Sequence, residues 1–188
     1  MRLVIKNMVC PRCITSVEQL LEKSNLQAKY VRLGEVELTK KPGKARLDQF
    51  AEGLKQTGFE LLDDRRTQLI EQVKNLLIQK VQSGSIDEHF SLSKYISDNI
   101  YKDYSSISRL FSEVEGITVE QFFILQKIEK TKELLTYDEQ SLSQIAFNLG
   151  YSSTQHLSNQ FKKVTGMTPS QFKQLGAVHR NPIDGVKK

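Results

Sequence analysis

The spacing of apolar residues changes near residue 63, which divides the chain into two regions. In the first region, β-branched and alternating apolar runs predict four strands, at residues 3–5, 30–33, 35–39 and 59–62. Apolar residues at helical spacing predict two helices among them, at residues 13–23 and about 47–54. The order βαββαβ predicts an α+β domain of ferredoxin-like fold over residues 1–62.

The second region has helical spacing throughout. Six apolar residues follow the pattern of an amphipathic helix soon after the last predicted strand: Leu69, Ile70, Val73, Leu76, Leu77 and Val81. Only residues 63–66 separate the two regions, so we expect a short joint rather than a long linker. We expect an all-α domain over residues 67–176, followed by a flexible tail over 177–188 that lacks an apolar period.

An internal repeat organises the second region. Residues 91–122 align without gaps with residues 141–172. The identical pairs are Ser91/Ser141, Leu92/Leu142, Ser93/Ser143, Tyr101/Tyr151, Ser108/Ser158, Phe111/Phe161, Val114/Val164, Gly116/Gly166, Thr118/Thr168, Gln121/Gln171 and Phe122/Phe172. Two copies are too few for a solenoid, which depends on stacked neighbours. The pattern therefore predicts two helix-turn-helix units, at about 91–116 and 141–166, joined by a linker helix over about 119–135.

The second helix of the second helix-turn-helix unit has an apolar stripe and a polar face. Leu157, Phe161 and Val164 form the stripe. The polar residues of this segment are Ser153, Gln155, His156, Asn159, Gln160, Lys162 and Lys163. Amides can read adenine in the major groove and lysines can neutralise phosphates, so these are candidate DNA contacts. An ordinary solvated helix face is the alternative, but the absence of acidic residues favours DNA.

The first copy has a weaker pattern for DNA binding. Its candidate contacts are Ser105, Ser106 and Arg109, and the arginine can pair with guanine or reach a phosphate. Residues 91–122 hold three basic and five acidic residues, and Glu113 stands at the position of Lys163. We therefore expect the second copy to supply more of the DNA affinity. The first copy is expected to read fewer bases or to contact a protein partner such as RNA polymerase.

The second region resembles the DNA-binding domain of AraC-type transcription regulators. The resemblance covers residues 67–175 and depends on two segments, S-Q-I-A-F-N-L-G-Y-S at 143–152 and L-S-N-Q-F-K-K-V-T-G-M-T-P-S-Q-F at 157–172. It implies two helix-turn-helix units held by one linker helix, with their recognition helices in adjacent major grooves of double-stranded DNA. Because one chain would carry two recognition helices, binding as a monomer or as a homodimer is feasible.

Two cysteines, Cys10 and Cys13, lie where the first predicted strand gives way to the first predicted helix. Two thiolates at this spacing can hold a soft ion such as Cu(I), whereas Zn(II) would need further ligands. The adjacent helix N-terminus is expected to lower the pKa of the thiols. The segment Met8–Cys13 resembles the M-x-C-x-x-C loop of heavy-metal-associated domains, and Phe59 resembles the aromatic residue that shields that loop. A redox couple and two buried structural thiols remain alternatives.

Composition excludes several classes of protein. Of the 188 residues, 38% are hydrophobic and 26% are charged, which is typical of a globular chain. The longest apolar run has four residues, whereas a membrane span needs roughly 20, and we find no secretory signal, so a cytoplasmic protein without membrane contact is expected. The sequence has no G-x-S-x-G, Walker or dinucleotide motif, which argues against an enzyme.

Together these patterns predict a sequence-specific DNA-binding transcription regulator controlled by a soft metal ion at the two cysteines. A net charge of +5 permits an anionic partner such as DNA but does not require one. One alternative is a metal carrier or thiol redox protein with an appended helical domain. Another is a DNA-binding regulator whose cysteine pair is redox-active or vestigial.

Overall fold

The computed structural model describes residues 1–62 and 65–175 and divides the chain into two compact units. The first unit is Met1–Asn75 and the second begins at Leu76. The elements of the first unit are β1 (Arg2–Lys6), α1 (Pro11–Lys23), β2 (Ala28–Arg32), β3 (Glu35–Leu38), α2 (Lys44–Gln56), β4 (Glu60–Leu62) and the start of α3 (Arg65–Gln82). Part of the predicted joint and the whole predicted tail at 177–188 lie outside the described residues.

The four strands of the first unit form one antiparallel sheet in the order β2-β3-β1-β4. Leu3 lies opposite Val36 on β3, and Ile5 lies opposite Leu61 on β4. A two-residue turn joins β2 to β3, and its second residue, Gly34, has φ +77°. The left-handed backbone at this position suits a residue without a Cβ atom.

The core of the first unit lies between this sheet and helices α1 and α2. Each helix places a stripe of apolar residues on the sheet because its apolar positions recur at helical spacing. The buried members of this core are Leu3, Ile5, Met8, Val17, Leu21, Leu26, Val36, Leu38, Phe50 and Leu54. Cys13 and Phe59 are half-buried against the same core, so one thiol of the cysteine pair is part of the packed structure.

Helix α3 begins in the first unit and continues into the second. Its apolar residues include the buried Ile70 and Val73, as the helical spacing predicts. Three polar residues, Glu71, Lys74 and Asn75, are also buried, which the apolar pattern did not predict. The division of the structure into units therefore falls inside a helix, whereas the boundary at 63–66 stays a prediction.

The second unit is helical where it is described. After α3 it contains α4 (Leu92–Ile100), α5 (Tyr104–Glu115), α6 (Val119–Tyr137), α7 (Leu142–Asn148), α8 (Thr154–Thr165) and α9 (Pro169–Leu175). No described helix is both long enough and apolar enough to cross a membrane. The two repeat copies become two helix pairs, α4–α5 and α7–α8, and α6 lies between them along the chain.

Matching aromatic contacts close the core of each repeat copy. The rings of Phe111 and Phe122 are 5.5 Å apart in the first copy, and those of Phe161 and Phe172 are 5.6 Å apart in the second. All four side chains are buried. Aromatic pairs at this separation contribute beyond the area they bury, so each copy carries its own anchor between the second helix and the helix that follows it.

Helix α6 buries charged as well as apolar residues. Lys127, Glu129 and Lys132 are each at least nine-tenths buried, and Lys132 Nζ lies 2.5 Å from Glu129 Oε1. A buried charge is tolerated when it has a partner, because desolvation is then partly offset. The linker helix buries charged and polar residues as well as its apolar ones and is therefore packed on most of its circumference.

Candidate functional site

The two sequence-predicted sites lie in different units: a polar helix face on α8 and a cysteine pair at the start of α1. Helix α8 begins at Thr154 because Ser153 caps it, with the Ser153 hydroxyl accepting a 3.1 Å hydrogen bond from the backbone N–H of His156. The helix ends at Gly166, whose φ of +80° places it in the left-handed region. Leu157 and Phe161 are buried, and this orientation fixes which residues of α8 point outward.

The predicted polar residues of α8 lie on its solvent side. Six of the seven are exposed, and Gln160 is half-buried; the exposed residues are Ser153, Gln155, His156, Asn159, Lys162 and Lys163. Gln155 Nε2 donates a 2.7 Å hydrogen bond to Asn159 Oδ1, one helical turn further on. The pair leaves the amide oxygen of Gln155 and the amide nitrogen of Asn159 available to an outside partner.

A stack of side chains supports the start of α8. His156 Nδ1 lies 3.1 Å from the Ser152 hydroxyl, and its ring meets the ring of Tyr151 edge-on at 5.2 Å. Beneath them, Lys127 Nζ lies 3.8 Å from the centre of the Tyr151 ring and donates a 3.2 Å hydrogen bond to the Leu149 carbonyl. Burial lowers the pKa of Lys127 to about 8. Sequence reasoning missed this lysine because its position on the linker helix carries no apolar signal.

Gly150 forms the turn between α7 and α8, and only a glycine fits there. Its φ is +67°, and a Cβ atom at this position would lie 2.7 Å from Ile86 Cγ2 and 2.8 Å from the Asp87 carbonyl oxygen. The segment that packs against Gly150 is held in place by a 2.9 Å hydrogen bond from the backbone N–H of Ile86 to the carbonyl of Asn148. The turn that precedes α8 is therefore packed closely against the backbone of residues 86–87.

The first repeat copy presents its candidate residues differently. Asp103 caps α5 by accepting a 3.0 Å hydrogen bond from the backbone N–H of Ser106, and it also accepts one from the Ser105 hydroxyl. These two bonds lower the pKa of Asp103, the serine hydroxyl contributing most. Ser105, Ser106 and Arg109 are all exposed. The Ser105 hydroxyl already binds a carboxylate, so Arg109 is the strongest candidate contact on this helix.

The two cysteines lie together at the N-terminus of α1. Cys10 is the residue before the helix, and its Sγ atom lies 3.3 Å from Cys13 Sγ. Both thiols are free and half-buried. Burial is the largest influence on Cys13 and raises the pKa of its thiol, which reverses the direction expected from the helix dipole alone. In the described ranges, no group of three or more His, Cys, Asp or Glu residues is placed to hold a metal ion.

The backbone next to the cysteine loop contacts helix α3 within the first unit. The N–H of Asn7 donates a 3.2 Å hydrogen bond to Glu71 Oε1, and the Asn7 side chain donates a 2.9 Å bond to the carbonyl of Gly58. On the neighbouring turn, a Cβ atom added to Gly34 would lie 2.1 Å from Asn75 Nδ2, so α3 packs closely there as well. No sequence motif predicts these contacts, because they join residues far apart in the sequence.

Comparisons with known proteins place the helical region in a class. Residues 98–175 match the family model of a helix-turn-helix domain. Over 86 residues the chain is 33% identical to a helix-turn-helix-type transcriptional regulator of Staphylococcus aureus, which covers 46% of this chain and 11% of that protein. Over 95 residues it is 28% identical to the arabinose operon regulatory protein of Salmonella typhimurium, covering 50% of this chain and 34% of that protein.

A solved structure agrees with the fold of this region. The C-terminal domain of AraT, a response regulator from Geobacillus stearothermophilus, superposes with a TM-score of 0.51 at 21% identity, covering 62% of this chain and 92% of that one. The chain spans about a tenth and a third of the two curated relatives named above. Residues 98–175 thus form a helix-turn-helix domain. The curated relatives named above are a transcriptional regulator and an operon regulatory protein.

Proposed function

We propose that this protein is a cytoplasmic, sequence-specific DNA-binding regulator of transcription whose main reading element is helix α8. The observation that carries the proposal is the outward face of α8, which combines two amides with two lysines and no carboxylate. In the major groove, amides can satisfy the donor and acceptor pattern of a base edge, while lysines neutralise phosphates of either strand. Double-stranded DNA is the partner that needs both properties on one helix.

The residues of α8 have separate roles in this proposal. Gln155 and Asn159 read bases, and their mutual hydrogen bond fixes which amide atoms face the groove. Lys162 and Lys163 lie in the last turn of the helix and bind phosphates, as Ser153 and Gln160 do through weaker neutral contacts. His156 is held against Tyr151 and Ser152, so it contributes as a positioned contact near the start of the helix.

Binding-site selection from a random DNA pool tests the reading role. The wild-type chain should enrich a defined motif, and Asn159→Ala should relax the preference at one position by about 1–3 kcal/mol of discrimination. Lys162→Ala should weaken binding to all sequences alike. Gln49→Ala, an exposed glutamine on α2, is the matched control and should leave the motif unchanged. An unchanged motif for Asn159→Ala would remove α8 from the reading role.

For the first repeat copy we propose a lesser part in DNA binding. Arg109 supplies its main contact, with Ser105 and Ser106 beside the phosphates. Residues 91–122 hold more acidic than basic residues, which suits contact with a protein such as RNA polymerase better than high-affinity binding to DNA. A chain with two recognition helices can act as a monomer, or as a homodimer on a longer site.

We further propose that the first unit is a ferredoxin-like domain of the heavy-metal-associated type that binds a soft ion such as Cu(I). Its strand order and element order support this fold. The two Sγ atoms are 3.3 Å apart and both thiols are half-buried, so a small movement of either side chain would let both sulfurs bind one thiophilic ion. The same pair does not fit Zn(II), because the described residues supply no further ligands nearby.

Helix α3 offers a physical route from the cysteines to the DNA-binding unit. Cys10 follows Asn7 by three residues, and the Asn7 backbone is hydrogen-bonded to Glu71 on α3. Since α3 continues beyond Asn75 into the second unit, a shift of the cysteine loop changes a contact on the same helix. We expect ion binding to change DNA affinity through this helix, with a coupling typical of allosteric proteins, about 5- to 150-fold.

Metal titration under reducing, oxygen-free conditions tests this second part. The wild-type chain should take up one Cu(I) per chain by native mass spectrometry, and Cys10→Ser with Cys13→Ser should abolish uptake without loss of helix content. DNA affinity measured with and without Cu(I) then reports the coupling. Response to an oxidant instead of Cu(I) would favour a redox pair, and response to neither would leave the cysteines vestigial. A carrier without regulatory function would bind Cu(I) but not DNA.

A further inference from the structure

Positive charge is concentrated on the unit that does not contain the helix-turn-helix pairs. Residues 76–175 hold ten basic and eleven acidic residues, so the DNA-binding unit has no positive excess over its described length. Residues 1–75 hold fourteen basic and ten acidic residues. Affinity for duplex DNA depends strongly on the number of phosphates that a protein neutralises. Helix α8 alone offers two lysines, so further phosphate contacts are expected elsewhere in the chain.

The excess on the first unit is local. Four of its basic residues lie within seven positions of the connection between β3 and α2: Lys40, Lys41, Lys44 and Arg46, here called the basic loop. No other stretch of seven residues in the sequence holds four basic residues without an acid. All four side chains are exposed, and among the described residues none of them takes part in an ion pair.

The basic loop borders a polar cleft. Lys40, Lys41 and Arg46 line an open cleft of about 680 Å³, together with the polar side chains of Asn25, Gln27 and Thr39. The backbone on one side of the cleft is fixed, since the N–H of Thr39 donates a 2.9 Å hydrogen bond to the carbonyl of Gln27. The cleft also contains Glu22 and is less apolar than a site for a hydrophobic ligand. Its exposed basic side chains suit an anionic partner.

We infer that the basic loop is a second DNA-contacting surface, which binds phosphates of the duplex while α8 reads bases. The inference depends on the proposed DNA-binding function and adds a partner surface on the first unit. It assigns this unit a direct share of the DNA affinity, in addition to any response to metal. Phosphate contacts carry no sequence information, so the basic loop contributes to affinity and leaves the preferred motif unchanged.

The test compares charge removal at two places on the full-length protein. Lys40→Gln with Lys41→Gln removes two charges from the basic loop, and Lys23→Gln with Lys55→Gln removes two exposed charges from the ends of α1 and α2. Affinity for one fixed duplex is measured from low to moderate salt. The basic-loop variant should weaken binding by about 3- to 10-fold and lower the slope of log affinity against log salt by about 1–2, whereas the control should change neither by more than measurement error.

The other outcomes separate the explanations. Equal losses in both variants would mean that only net charge matters and would overturn the basic loop as a contact surface. No loss in either variant would overturn it as well. Absence of DNA binding by the wild-type chain would instead sink the proposed function. A second loop variant, Lys44→Gln with Arg46→Gln, guards against a local folding defect and should reproduce the loss.

Discussion

The two repeat copies share a sequence pattern and a helix order, yet they differ at the turn between their helices. In the second copy Gly150 takes the left-handed conformation, and Tyr151 is buried over the Lys127 ammonium. In the first copy the left-handed residue is Tyr101 itself, with φ +57°, and its side chain is 89% exposed. A one-residue change in where the turn is made therefore moves the same aromatic residue from core to solvent.

This difference indicates how a duplicated motif can specialise without a change in length. In the second copy the turn is closely packed, side chains stack beneath the start of α8, and the outer face of α8 has no acidic residue. In the first copy the turn residue is exposed, an aspartate caps the second helix, and acidic residues outnumber basic ones. Precise placement matters for reading bases, because direct readout requires correct hydrogen-bond geometry. The following predictions test the contrast, from the largest expected effect to the smallest.

Gly150→Ala should be the most damaging single change in the second copy. The added Cβ atom would overlap both Ile86 and the backbone of Asp87, and φ would stay at a value that alanine disfavours. We expect a loss of about 2–4 kcal/mol in the free energy of unfolding, from overpacking and backbone strain together. Urea unfolding followed by circular dichroism measures this loss.

Gly166→Ala is the matched control for that substitution. It has a similar φ of +80°, but nothing lies within 4 Å of its added Cβ atom. Only the strain term, about 1 kcal/mol, should remain. Similar losses for both variants would show that the packing of the turn against Ile86 and Asp87 contributes little to stability.

Lys127 should give the second copy a pH dependence that the first copy lacks. Its pKa in the folded protein is about 8, below the ordinary value of 10.5, because burial disfavours the charged form. The unfolded chain then binds more protons between these values, so stability should rise by about 1–2 kcal/mol as pH increases from about 8 to 9.5. Lys127→Met should flatten this rise when unfolding is followed across that range.

An exposed lysine provides the comparison for that experiment. Lys163→Met removes the same charge from the surface of α8, and it should leave the pH profile of stability close to that of the wild-type protein. If Lys127→Met and the wild-type protein rise in parallel, the ammonium of Lys127 is not the group responsible. The tyrosines with raised pKa values, Tyr30, Tyr95, Tyr104 and Tyr151, act in the opposite direction at higher pH. The raised pKa of the Cys13 thiol opposes the rise within the window itself, so the effect of Lys127 is measured as the difference between Lys127→Met and the wild-type protein.

Reversing the charges at one equivalent position should bring the two copies closer together in their affinity for DNA. Lys163→Glu gives the second copy the charge that Glu113 gives the first, and it should weaken binding to all sequences by about tenfold at low salt. Glu113→Lys should strengthen binding by a smaller factor, because we propose that the first copy makes fewer base contacts. Fluorescence anisotropy with one labelled duplex measures both, and equal and opposite effects would contradict the unequal roles assigned to the copies.

Tyr101→Gly should have the smallest effect and the opposite sign. The exposed side chain makes little packing contact, and glycine relieves the left-handed strain at φ +57°. We expect the free energy of unfolding to rise by up to about 1 kcal/mol in thermal-unfolding measurements. This is the net gain after subtraction of the conformational entropy that glycine adds to the unfolded chain. A clear loss of stability would mean that Tyr101 is held by contacts of its own.

The sequence predicted the helices of the repeat well because their apolar residues and caps are local signals. The second helix of the unit predicted at about 141–166 lies at Thr154–Thr165, with Ser153 as its cap. The outward direction of Gln155 and Asn159 followed from the same periodicity. The exposed face of the candidate site was therefore predictable, although Ser153 uses its hydroxyl to cap the helix.

The supporting parts of the structure were not predictable from local pattern. Lys127 and Glu71 are charged residues at positions that periodicity assigns to solvent, and both are buried. Their partners, the Leu149 carbonyl and the Asn7 amide, lie 22 and 64 residues away in the sequence. Only the tertiary fold brings such groups together, so a single sequence gives no signal for them. The raised pKa of Cys13 has the same origin, because burial outweighs the helix dipole there.

The contacts of helix α3 also determine when the first unit can finish folding during synthesis. Domains fold from the N-terminus during synthesis. The Asn7 amide can form its hydrogen bond only after Glu71 is made, and the Gly34 turn can pack only after Asn75 is made; both residues lie on the helix that continues into the second unit. The ribosome must therefore deliver the beginning of α3 before the first unit can complete its contacts. A nascent chain stalled after Leu62 should be more open to proteases than one stalled beyond residue 82 with the same length of ribosome-bound extension.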